Sequence, residues 1–366
     1  CGRYLRRFWH PVYRSADLAP GRSMRVKIMN EYFTLYRGEG GRAHLLVDRC
    51  PHRQTSLVHG WVEGDRIRCF YHGWLYDGSG QCVEQPAEKA SFAAKVRVPN
   101  YPVEEYMGLI FAYLGTVEPP PFPRYPELED ANSDVAVNRH PVPCNYFQRI
   151  ENDLDETHVH FVHRVSTKSY GLDEIPEIVV SETPYGIRRE GHRKCRGANI
   201  TRVGHFLWPN ISLIDLPPSP EHAYWTVQIA WRVPRDDESM ITYSLRLMKP
   251  TDAGVTRRFV AAREAEPSPL QISEDILAGR RRIQDIDPNY PALFVVEDNV
   301  ALAAQGRITD RAQDWLGQSD KGIILLRRIL ERELTALAEG RPLKEWRRPK
   351  ERMGLAVSEV TGLEAF

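Results

Sequence analysis

Two cysteines and two histidines stand close together in the segment DRCPHRQTSLVHGWVEGDRIRCFYHGW. They form two pairs, Cys50-Pro51-His52 and Cys69-Phe70-Tyr71-His72, with sixteen residues between the pairs. Thiolate sulfur and imidazole nitrogen are the donors that hold zinc or an iron–sulfur centre. Zinc fingers usually keep Cys with Cys and His with His, whereas each pair here supplies one of each. That mixture suits a [2Fe–2S] centre with two thiolates on one iron and two imidazoles on the other. Neutral imidazoles put less negative charge on such a cluster than thiolates would, which raises its reduction potential and suits a one-electron relay. Gly60, Gly64 and Gly73 fit tight loops around it, with Trp74 and Tyr76 packing beneath. His59, between the pairs, falls outside the ligand pattern and reads as a surface or packing residue.

A second stretch, CNYFQRIENDLDETHVHFVHR, holds His158, His160 and His163 with several acids just upstream. An iron that activates oxygen needs two histidines and one carboxylate on one face, with other positions left open. His158 and His160 point to different sides of a helix. His158 and His163 are five residues apart, about 140° around an ideal helix, and converge only if the helix bends or ends between them. Spacing alone therefore leaves the pair open. Asp155 lies three residues before His158, on the same helix face, where its carboxylate can orient an imidazole.

The loops CPHR and CFYHGW resemble those of the Rieske non-haem iron ring-hydroxylating oxygenases, and the resemblance continues past them. It implies that Cys50, His52, Cys69 and His72 bind the [2Fe–2S] cluster. N-x-x-D-x-x-H-x4-H is similar to the family's iron-binding signature, matched in full by Asn152, Asp155, His158 and His163. The resemblance thus selects His158 and His163 as iron ligands and leaves His160 without a metal role. It gives Asn152 a place near the iron and makes Asp155 a bridge to His72 of the partner subunit, the route for electrons. The carboxylate ligand must come from elsewhere. Asp298, shortly before the Gly306–Arg311 segment GRITDR, is the choice, because this region resembles phthalate-dioxygenase-like oxygenases. Glu297, Asp285 and Asp310 remain alternatives. One departure is that Leu302, Ala303 and Ala304 stand where relatives often carry polar residues.

The resemblance further implies a terminal oxygenase component that hydroxylates or demethylates an aromatic substrate, and a ring-shaped homotrimer. No Gly-rich dinucleotide fingerprint opens a helix after a strand, so a separate NAD(P)H-dependent reductase is expected, and the resemblance implies one with flavin and iron–sulfur centres. The substrate pocket is expected along Lys194–Leu216 and Trp225–Trp231. Phe206 and Trp208, with Leu207, Ile211 and Leu213, would make it apolar, and Arg196 or Arg202 would hold a carboxylate. Two other readings compete. A Rieske electron carrier with an accessory domain would hold two irons per chain, and a zinc-binding structural protein would be colourless.

The elements that must position these residues follow from composition and pattern. The 366 residues suffice for one large or two ordinary domains. Lys+Arg and Asp+Glu are both 49, so nothing predicts long-range attraction to nucleic acid or an anionic membrane. The longest apolar run, Phe206–Leu216, is too short to span a bilayer and is broken by Pro209, Asn210 and Asp215. The opening CGRYLRRFWHP starts on cysteine, which points to a missing natural start, and holds no apolar signal core. Six cysteines spread over the chain are no disulfide scaffold, and a reducing cytoplasm fits.

Short β-branched and aromatic runs bounded by Gly-rich turns predict an antiparallel β domain over residues 1–116. VEPPPFPRYPELED, residues 117–130, reads as a proline-rich linker. Residues 131–366 form the second domain, which would carry the iron. Its pattern is a helical stretch over 144–165, strands over 175–248 and a helix-rich tail. In that tail Ile324, Leu325, Ile329, Leu330, Leu334 and Leu337 recur at helical spacing up to Gly340 and Pro342. The resulting fold class is α+β: an antiparallel Rieske domain followed, by resemblance, by a helix-grip (START-like) antiparallel sheet with helices.

Overall fold

The computed structural model describes residues 1–129, 134–166, 174–195, 198–216, 226–248, 253–353 and 357–358. The chain folds as two compact units, Cys1–Pro123 and Arg124–Phe366. The divide falls inside the proline-rich stretch, whose later part is packed rather than loose. Tyr125 is buried in the second unit, edge-on to Trp231 at 5.3 Å.

The first unit opens with a short helix, α1 (Gly2–Leu5), and is otherwise all β. Its strands are β1 (Trp9–Arg14), β2 (Ser23–Ile28), β3 (Glu31–Arg37), β4 (Ala43–Val47), β5 (Trp61–Glu63), β6 (Arg66–Arg68), β7 (Leu75–Tyr76), β8 (Cys82–Glu84), β9 (Asn100–Tyr101), β10 (Val103–Tyr106) and β11 (Leu109–Tyr113). They make three antiparallel sheets, in the orders β1-β11-β10, β2-β3-β4-β9 and β5-β6-β7-β8. The β2–β3 hairpin turns on Met29 and Asn30, both at positive φ, as a two-residue turn matching the strand twist requires. The Cys50 loop leaves β4 and runs toward β5, and the Cys69 loop joins β6 to β7. Both cysteines sit in one buried cluster with Tyr36, Leu57, Ile67, Trp74 and Tyr76.

The second unit is a large antiparallel sheet with helices. Its strands are β12 (Val135–Val142), β13 (Glu177–Thr183), β14 (Gly186–Cys195), β15 (Ala198–Leu207), β16 (Ile211–Leu216), β17 (Thr226–Pro234) and β18 (Met240–Met248), with a short β19 (Val357–Ser358). The order is β12-β18-β17-β16-β15-β14-β13, so the first strand of the unit pairs with β18. β19 pairs with the early part of β15. Two short helices, α2 (Tyr146–Asp153) and α3 (His158–Phe161), lie between β12 and β13 in the chain. After the sheet come α4 (Ala253–Glu264), α5 (Leu270–Leu277), α6 (Leu293–Ala303) and α7 (Lys321–Ala338).

The predicted tail helix is α7, and Gly340 takes φ +68° just past its end, a conformation that ends helices with little strain in glycine. The stripe it buries is not the all-apolar one. Ile323, Leu326, Ile329, Glu333 and Ala336 are fully buried, and Glu333 accepts from the backbone N–H of Lys344. The other predicted apolar positions flank that stripe half-buried.

Candidate iron–sulfur and iron centres

The two cluster loops are built alike. In each, a backbone N–H four residues on donates to the carbonyl of the cysteine: Gln54 to Cys50 at 2.8 Å and Gly73 to Cys69 at 2.9 Å. Both closing residues take positive φ, +59° and +75°. Glycine adopts this conformation with little strain, and Gln54 is held there by the loop. The fold of the loops puts the thiols inside and the imidazoles at the half-buried tip.

The His52 and His72 rings lie 4.4 Å apart, and His52 stacks flat on Trp74 at 4.4 Å. The neighbouring Cys50 thiol holds the Cys69 thiol below its ordinary value against burial, helped by the backbone amides of Tyr71 and His72. The Tyr76 hydroxyl lies 3.2 Å from Cys50 Sγ, a buried donor for a thiolate. His59 lies off this group, edge-on to Phe70.

In the second unit the polar stretch after β12 is helical only in part. Asn145 caps α2, its side chain accepting from the N–H of Phe147. The helix ends at Asp153, and α3 is a single turn. His158 opens that turn and His163 lies beyond its end, which is how two histidines five apart converge. Their rings are 5.2 Å apart. Asp298, on α6, completes the group: its Oδ1 lies 3.1 Å from His163 Nε2 and 3.6 Å from His158 Nε2. Among the described residues this is the one group of three or more His, Cys, Asp or Glu side chains whose ligand atoms all lie within 4.8 Å of one another. His160, Asp285, Asp310 and Glu297 are not in it.

Burial alone would raise the Asp298 carboxyl. Arg149 at 3.2 Å and His163 outweigh it and hold the carboxyl well below the usual range. Asn152 donates to Asp298 Oδ1 at 3.4 Å. Burial lowers His158, against Asp298 and Asp155, and so favours the neutral imidazole whose lone pair a metal needs.

Asp155 differs from expectation in one respect. Its backbone carbonyl, not its carboxylate, accepts from His158 Nδ1, at 2.6 Å. The carboxylate instead accepts from the backbone N–H groups of Thr157 and His158, which start the turn and have no helical partner.

The other acids of this stretch are each clamped by arginine. Glu151 meets Arg311 and Arg327, Asp153 accepts from Nε and Nη2 of Arg232 at 2.7 Å each, and Glu156 is shared by Arg189, Arg193 and Arg202. A carboxylate buried as deeply as Glu156 is kept only with such partners. Arg189 lies flat on β15 at Gly204, where a Cβ would come within 2.9 Å of its Nε. Burial pushes Arg189 down to about 9 and Arg202 down to about 10, and both remain cationic at neutral pH. None of this arginine framework was read from the sequence, because each partner is a long-range neighbour.

A cavity of about 760 Å³ opens beside His158 and Asp298, lined by Arg202, Ser212, Thr226, Gln228, Arg246 and Phe294 among others. The apolar lining expected from Phe206, Leu207, Trp208, Ile211 and Leu213 is not found. Alternation along β16 sends Ser212, Ile214 and Leu216 to the cavity and Ile211 and Leu213 to the other face. Phe206 packs edge-on to Trp208, which stacks on Trp346, so both fill core. Arg202 does line the cavity, with its guanidinium on Glu156. Arg196 lies outside the described residues.

Residues 8–102 match the Rieske [2Fe-2S] domain. Over 93% of the chain, the sequence is 31% identical to the 5,5'-dehydrodivanillate O-demethylase oxygenase subunit of Sphingobium sp. (strain NBRC 103272 / SYK-6), covering 78% of that protein. It is 33% identical to the phenoxybenzoate dioxygenase subunit alpha of Ectopseudomonas oleovorans, covering 93% of this chain and 83% of that one. The chain belongs to the Rieske non-haem iron oxygenases. The fold agrees: Pseudomonas putida CBB5 NdmA with caffeine superposes with TM-score 0.70 at 21% identity, over 92% of this chain and 93% of that one.

This oxygenase is an oxidoreductase subunit working in a multicomponent system that supplies its electrons. Its cofactors are a [2Fe–2S] Rieske cluster and a mononuclear iron. The residues present fit both. Paired thiols with paired imidazoles suit the cluster, and two imidazoles with one ionised carboxylate suit an iron that keeps open positions. Among the described residues no helix is long and apolar enough to cross a membrane.

Proposed function

We propose that this chain hydroxylates, or O- or N-demethylates, an aromatic carboxylate, with Cys50, His52, Cys69 and His72 holding the cluster and His158, His163 and Asp298 holding the iron. The observation that carries the reading is the His158–His163–Asp298 group at the wall of a cavity whose charged lining is mostly arginine. The two relatives bear the names of aromatic acids, dehydrodivanillate and phenoxybenzoate. The cluster would supply electrons one at a time and the iron would supply the oxidation of substrate by O₂.

The protein's own work is positioning. Asn152 and Arg149 steady Asp298, and the Asp155 carbonyl fixes the His158 ring. Arg202 is the substrate anchor expected from the sequence. Arg246, which donates to Gln228 at 3.1 Å, is a second one in the same cavity. Both would bind a carboxylate by charge-assisted hydrogen bonds.

Further parts of the proposal follow family habit. The chain forms a homotrimer in which Asp155 meets His72 of the partner subunit, and electrons come from a flavin and iron–sulfur reductase using NAD(P)H. It acts in the cytoplasm, with neither nucleic acid nor membrane as partner. The test is a single turnover of the reduced, iron-loaded protein with a panel of aromatic acids and their neutral analogues. Oxygenated or demethylated acid is expected. Cluster reoxidation without product from any of them would leave the electron-carrier reading in its place.

A further inference from the structure

His158 and His163 are held at Nδ1 by different kinds of acceptor. For His158 it is a neutral backbone carbonyl. For His163 it is the carboxylate of Glu297, whose Oε2 lies 2.9 Å from Nδ1. A carboxylate oxygen only accepts, so Nδ1 of His163 carries a proton toward Glu297, and Nε2, 3.1 Å from Asp298 Oδ1, is the nitrogen left to give its lone pair to a metal. Glu297 is 2% exposed, and the same oxygen takes a hydrogen bond from Ser166 Oγ at 2.5 Å.

One helix supplies three of the side chains around that ring. Phe294 stacks on it at 3.6 Å and 10°, Glu297 holds Nδ1, and Asp298 lies by Nε2. Positions 294, 297 and 298 are spaced i, i+3 and i+4 and share a face of α6. Glu297 therefore sits across the imidazole from the proposed metal position. It cannot donate to the same ion as Nε2, which removes it as an alternative ligand.

We propose that Glu297 is a positioning residue for the mononuclear iron, fixing the tautomer and aim of His163 and making it the more strongly donating of the two imidazoles. The inference rests on the reading of His158, His163 and Asp298 as the ligand set. A carboxylate on the far nitrogen of a ligating imidazole increases its basicity and resists its rotation. Ser166 keeps the carboxylate from turning away. The two ligand histidines are thus unequal: His158 is oriented by the turn it begins, and His163 by a charge from α6.

The test measures metal affinity, not turnover. Purified full-length protein with its cluster intact is titrated anaerobically with Fe(II), and separately with Co(II), against a competing chelator. Glu297→Gln keeps the shape and removes the charge. Glu297→Asp keeps the charge and withdraws it from Nδ1. Each is expected to weaken both metals about 10- to 100-fold, the usual loss when such an outer partner is removed. The Co(II) absorption bands should shift, while the Rieske absorption and thermal unfolding stay as in the parent. Parent-like affinity and Co(II) bands in either variant, with the fold intact, overturn the proposal. A parent protein whose metal is not lost in His158→Ala would instead sink the assignment of the site.

Discussion

The two centres are made by opposite means. The proposed cluster site would draw its four donors from twenty-three consecutive residues, and each of its loops closes on its own cysteine through one backbone hydrogen bond. The proposed iron site would take two histidines from a broken helix and its carboxylate from α6, well over a hundred residues later. Its surroundings are long-range too: Arg149 on Asp298, Arg232 on Asp153, three arginines on Glu156. A site written locally is fixed by loop geometry. A site assembled from afar is fixed by paired charge.

The sharpest way to break this contrast is to delete one ligand from each site. Cys69→Ser should remove the cluster's absorption and loosen the first unit, because Cys69 is also part of that unit's core. His163→Ala should abolish product formation and mononuclear metal binding yet leave the Rieske absorption in place. Loss of cluster absorption in His163→Ala would mean that the sites are not independently built.

Glu156→Gln comes next. It removes the carboxylate that three buried arginines share, and breaking a buried ion pair typically costs about 3–5 kcal/mol. Denaturant unfolding should show that loss in the second unit alone. A change below roughly 1 kcal/mol, the level of a surface pair, would show that the arginines find other partners.

The cavity offers a milder test. Replacing Arg202 or Arg246 by alanine removes a charge-assisted hydrogen bond worth about 1.5–3 kcal/mol, so kcat/KM for an acid substrate should fall about tenfold to a hundredfold. The amide or ester analogue should lose much less. Smallest of all is Gly204→Ala, which presses a methyl against Arg189 and should cost about 1–3 kcal/mol of stability with the cluster unchanged.

The same contrast explains what could be read from sequence. Cys50, His52, Cys69 and His72 could be proposed because residue type and spacing alone describe two short loops, and the structure brings those loops together. His158 and His163 needed the resemblance, since five-residue spacing fits no single face of a helix and the break at Leu154–Thr157 leaves only a weak signature. Asp298 was chosen for its place before Gly306–Arg311, while Glu297 beside it remained a rival ligand. Only the geometry around the His163 ring separates the two. The pocket was misread for a physical reason. Large apolar residues on β15 and β16 look the same in sequence whether they line a cavity or fill a core, and here Phe206 and Trp208 fill core. Arginine was a poor guide in sequence because its partners are so distant.

The strand order also has a consequence for how the protein is made. Val135 opens the second sheet but finds its partner only when β18 has been synthesised, and Asp298 follows later still. From His72 to Asp298 is 226 residues. At about 5–20 residues per second, the ribosome takes roughly 10 to 45 s over them. All four proposed cluster donors are thus synthesised well before the last proposed iron ligand, so the first loops are complete in the nascent chain while the second site still lacks its carboxylate.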